Sequence, residues 1–128
     1  MRLLSPPILL LLSSNISAAD YSEICEATQV CNRAVCSPSD AAFRFLSLRD
    51  EESGEYTTFF VETDGTRIEA RMSEGSGSAA AWENDETAFA MNYIYHAGLA
   101  EPQFALIKSP IRGDVSETRL FIGACTLE

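Results

Sequence analysis

CEATQVCNRAVC, residues Cys25 to Cys36, carries three of the chain's four cysteines. The fourth, Cys125, lies three residues from the last residue of the sequence. Four cysteines in a small chain allow three pairings. Residues Glu23 to Val30 include Ile24, Thr28 and Val30 and read as a strand. Cys25 and Cys31 stand on it roughly 20 Å apart at about 3.3 Å per residue. A disulfide needs Cα atoms about 5.5–6 Å apart, so those two do not pair while the strand is intact. Cys31 and Cys36 flank Asn32-Arg33-Ala34-Val35, and a hairpin of that length sets its flanking residues opposite each other. The favoured scheme is therefore Cys31–Cys36 closing the first hairpin and Cys25–Cys125 joining the first strand to the last. Cys25–Cys36 with Cys31–Cys125 is the remaining option.

Disulfides persist in oxidising compartments, and the first residues agree with such a destination. MRLLSPPILLLLSSNISAAD has a basic start at Arg2, a mostly apolar run from Leu3 to Leu12 and small residues at Ser17-Ala18-Ala19. That is the layout of a cleavable signal peptide over residues 1–19. The run is shorter than the roughly 20 residues a membrane-spanning helix needs. The expected product is a periplasmic or secreted single β domain over residues 20–128.

Composition narrows the partners. The formal net charge is −10, and all 19 acidic residues lie at or beyond Asp20. Such a surface repels nucleic-acid phosphates and anionic membranes. It favours solubility, and it attracts a basic protein.

Past the hairpin, apolar runs and turn signals alternate. Ala41 to Arg49 holds Phe43, Phe45, Leu46 and Leu48, with a phase change after Phe45 that predicts a bulge or burial on both faces. Glu55 to Thr63 is rich in β-formers and runs into Asp64-Gly65, a hairpin signal because glycine adopts positive φ cheaply. Thr66 to Ser73 and Thr87 to His96 alternate with period two, while Ala79 to Trp82 is ambiguous. Gln103 to Lys108 and Thr118 to Thr126 supply the last strands. Eight or nine short strands with frequent turns predict an all-β fold, a single small antiparallel barrel or sandwich of about eight strands stapled by disulfides. A bridge between first and last strands suits a barrel, where those strands are neighbours.

No catalytic constellation emerges. His96 is the sole histidine, and Gly75-Ser76-Gly77-Ser78 lacks the glycine spacing of a nucleophile elbow. The cysteine spacings fit neither a zinc site nor a redox Cys-x-x-Cys, so no metal or cofactor is expected. The acidic runs Asp50-Glu51-Glu52 and Glu83-Asn84-Asp85-Glu86 do not follow the calcium-loop pattern and read as solvated turns. Trp82, Tyr93, Tyr95 and His96 are the candidates for ligand or partner contact, since aromatic residues on one strand face line either a core or a cavity.

The run ICEATQVCNRAVC with the terminal FIGACTLE resembles a group of small exported bacterial disulfide-containing β proteins of uncharacterised function. That resemblance implies export and a β fold. SGSAAAW, Ser76 to Trp82, is similar to the Ser-Gly-rich segment ahead of an aromatic residue in periplasmic inhibitors of c-type lysozyme, which are small disulfide-linked β-barrels. The lysine that follows in that family is replaced here by Glu83. These features together predict a non-enzymatic binding or interaction module for a basic protein, with a carrier of a small apolar ligand in the barrel interior as the alternative.

Overall fold

The first strand runs from Tyr21 to Asn32 (β1) and turns back at once through Val35–Pro38 (β2). The computed structural model describes residues 20–72, 79–94, 98 and 100–128. The expected signal segment, residues 1–19, lies outside these. β1 and β2 pair with Cys31 opposite Cys36, and the turn is tighter than a four-residue loop because Asn32 and Val35 also pair. Arg33 takes the corner at φ 59°, a left-handed conformation unusual for a residue with a side chain.

Seven further strands form a meander. They are Ala42–Arg49 (β3), Tyr56–Val61 (β4), the segment Arg67–Glu69 and Arg71–Met72 (β5 and β6), Ala79–Glu83 (β7), Thr87–Ile94 (β8) and Gln103–Pro110 (β9). A short 3-10 turn at Val115–Glu117 then leads into Arg119–Leu127 (β10). Every pairing is antiparallel, in the order β5-β4-β3-β1-β10-β9-β8-β7-β6. β5 and β6 are consecutive pieces of one segment. The first pairs with β4, the second with β7, and the Ala70 amide between them donates to Thr58 at 2.9 Å. The sheet thereby comes round on itself as a nearly closed eight-stranded antiparallel barrel, with β2 as a flap on β1.

Both expected disulfides are present. Cys25 faces Cys125 across β1 and β10 with Cα atoms 3.9 Å apart, and Cys31 faces Cys36 at 4.0 Å. Cys25 and Cys125 are fully buried. Two such bridges point to an oxidising, non-cytoplasmic environment. Among the described residues, no helix is long and apolar enough to cross a membrane.

The bulge lies in β1, not in β3. Register shifts between Ala27 and Gln29 against β10, while β3 pairs with β4 without a slip. In β3, Phe43, Phe45 and Ser47 are buried and Leu46 and Leu48 are half-buried, so the second of the two expected outcomes, two-sided burial, holds there. The bulged chain leans over Gly123 of β10. A Cβ at that glycine would strike the Glu26 carbonyl oxygen and come within 2.8 Å of the Ala27 Cα.

At the Asp64-Gly65 turn, Gly65 has φ 90° and its amide donates to the Glu62 carbonyl at 2.9 Å. Asp64 caps the same turn by accepting from the Thr66 amide at 2.9 Å. The acidic turn at Asp50 is likewise tied locally, because its carboxylate accepts from the Ser53 hydroxyl at 2.9 Å.

Candidate functional site

The alternation of each strand sends every second side chain into the barrel. Their sizes change sharply along the axis. Near the β7–β8 turn, Phe45 faces Phe60 and Trp82 faces Phe89 across adjacent strands. Trp82 stacks on Phe89 with ring centroids 5.3 Å apart, packs on Phe60 at 5.2 Å and meets Phe45 edge-on at 5.5 Å. A second set joins Phe43 to Phe121 and Phe104 at 5.1 and 6.1 Å. The first set fills that end of the barrel, and the second packs the interior between β3, β9 and β10.

Two residues along each strand toward the other end, the large rings give way. Phe45 is followed inward by Ser47, and Phe60 by Thr58. Trp82 is replaced by Ala80, and Phe89 by Met91. Ala70, buried between β5 and β6, is small as well. Side chains of this size do not span an eight-stranded barrel. What remains is a cavity of about 800 Å3 open at the end where β1 begins and β10 ends.

Most of its wall is apolar. Ser47 and Thr58 share a hydrogen bond of 2.9 Å between their hydroxyls. Glu23, on β1, adds a half-buried carboxylate to this wall. It keeps the same strand parity as Cys25 and so points inward. The Tyr93 hydroxyl reaches it from β8, on the far side of β10 and β9, and donates to its carboxylate at 2.6 Å. Burial raises the Glu23 pKa above its ordinary 4.5, and the tyrosine hydrogen bond offsets only part of that rise. Glu101 stands at the exposed rim. Glu23, Cys25 and Cys125 come together as a potential ligand group for a metal, but the two sulfurs are bonded to each other and offer no thiolate.

The expected contact residues separate in this structure. Tyr93 lines the cavity. Trp82 is only 6 % exposed and belongs to the ring stack that fills the opposite end, with its indole Nε1 buried and unpaired among the described residues. It therefore presents neither a ligand nor a partner with a surface. Tyr95 and His96 lie outside the described residues, as do Ser76 to Ser78 of the Ser-Gly-rich segment. Glu23 was not among the residues singled out from the sequence. Its signal was parity, since it sits two residues before a cysteine whose bridge must be internal.

Compared with known proteins, the chain matches no family model, no curated protein and no solved structure.

Proposed function

We propose that the chain is an exported, non-enzymatic binding barrel that holds a small molecule with an apolar body in its open end. The observation that carries this reading is the cavity itself. At about 800 Å3 it falls within the range of small-ligand sites, roughly 300–1,000 Å3. Small inward residues at Ser47, Thr58, Ala70 and Ala80 open it, on four separate strand segments, beside an end packed with rings. Export is supported by the leader-like start and by the two disulfides.

Titration with Nile red, a neutral apolar fluorophore, tests the reading. Saturable one-to-one binding with a blue-shifted emission is expected. Ala80→Phe, which fills the lumen, is expected to weaken it about tenfold or more while the protein stays folded. Absence of saturable binding, or equal binding by the filled variant, removes the proposal.

A second reading, docking of a basic protein, rests on the net charge of −10. Light scattering with lysozyme at low and high salt tests it. A complex at low salt that dissociates at high salt is expected, and no complex at low salt ends it.

A further inference from the structure

Building on that cavity reading, we infer that the ligand is a cationic amphiphile, a protonated amine on an apolar body, with Glu23 as its counter-ion. Three observations converge. Glu23 is a half-buried carboxylate inside a mostly apolar lumen rather than at the surface. Its hydrogen-bond partner is the phenol of Tyr93, which is a neutral donor. Among the described residues lining the cavity, none is basic. The ion pair found among the described residues, Arg44 with Glu128 at 3.1 Å, does not involve the lumen.

Placing a carboxylate out of water is costly unless a charge or several hydrogen bonds answer it. Among the described residues, Glu23 receives one neutral hydrogen bond, from Tyr93. An ammonium group arriving at the mouth would complete the pair with a charge-assisted hydrogen bond, which is about twice as strong as a neutral one. Its apolar body would lie against Met91, Ala80, Ala70 and Phe45. The hydroxyls of Ser47 and Thr58 already bond each other and make no demand on the ligand. An anionic amphiphile meets the opposite situation. It would set a second negative charge beside Glu23 in a low-dielectric site, with Glu101 adding a third at the rim. The lumen thus selects by charge sign as well as by size.

Calorimetric titration of the full chain with decylammonium, decanol and decanoate tests the assignment, because these probes share one chain and differ only at the head. Decylammonium is expected to bind about tenfold tighter than decanol, with decanoate weakest. Glu23→Gln is expected to bring the ammonium-to-alcohol ratio close to one, which locates the preference at this side chain. Decanoate binding as tightly as decylammonium overturns the cation assignment and leaves the cavity reading standing. A Glu23→Gln variant that keeps the full ammonium preference overturns the role of Glu23. Failure of all three probes to bind removes the cavity reading and this inference with it. The wild-type ranking decides the charge question even without a folded variant.

Discussion

Glu23 illustrates how one side chain can be costly to the fold and useful to a site. The folded protein holds its proton more tightly than the unfolded chain does, because burial raises its pKa. The stability linked to this group is therefore fully present below the ordinary glutamate value of 4.5 and is lost as pH rises through the raised folded value. Glu23→Gln keeps an acceptor for Tyr93 and removes the titration. Its melting temperature should match the wild type near pH 4 and exceed it at about pH 7.5. A gap that stays constant across that range would contradict the burial argument. Gly123 is the second informative residue. Its missing side chain lets the β1 bulge close down, so Gly123→Ala should cost about 1–3 kcal/mol in urea unfolding. At this scale the cysteines were legible from spacing alone. Glu23 was not, because an acid at a strand start looks like any solvated strand end. For Trp82 the sequence leaves core and contact readings both open, because aromatics on one strand face read alike whether they fill a core or line a cavity. Its burial in the ring stack places it in the core.

The elements divide the same way. Turns built on local chemistry were visible in the sequence, such as Asp64-Gly65, where glycine takes the positive φ. Arg33 at its left-handed corner carries no such mark, and the hairpin there was legible only through the cysteines beside it. The bulge at Ala27–Gln29 was hidden among polar residues. The phase change in β3 drew attention instead, although β3 is regular and simply buries both faces in part. Thr66 to Ser73 read as one strand, yet Ala70 hands the chain from β4 to β7, a transfer set by long-range pairing. The two disulfides should differ in weight because they close loops of different length. With a sequence separation of 100, Cys25–Cys125 should contribute on the order of 4–5 kcal/mol, and Cys31–Cys36, with a separation of 5, about 2 kcal/mol. Urea unfolding of the two paired Cys→Ala variants should rank them so. Equal losses would mean that the end-to-end bridge is not what restrains the unfolded chain.

For the whole molecule, the decisive feature is the gradient from rings at one end of the lumen to small side chains at the other. The sequence shows which residues point inward. It does not show which of them share a level, because that depends on the register between strands. Alignment of Ser47 with Thr58, and of Ala80 with Met91, is what turns scattered small residues into one cavity. The ring-filled end should be closed to solvent. The chain has one tryptophan, so acrylamide should quench its emission only weakly, with or without a ligand bound. Strong quenching would mean that the packed end is open. The most direct measurement of the central claim is an amide NMR titration of the 15N-labelled chain with decylammonium. Saturable shifts should gather at Glu23, Ser47, Ala70, Ala80, Met91 and Tyr93, while Phe60 and Trp82 stay in place. Shifts that never saturate, or that spread over the outer turns at Asp50, Asp64 and Asp114, would contradict it.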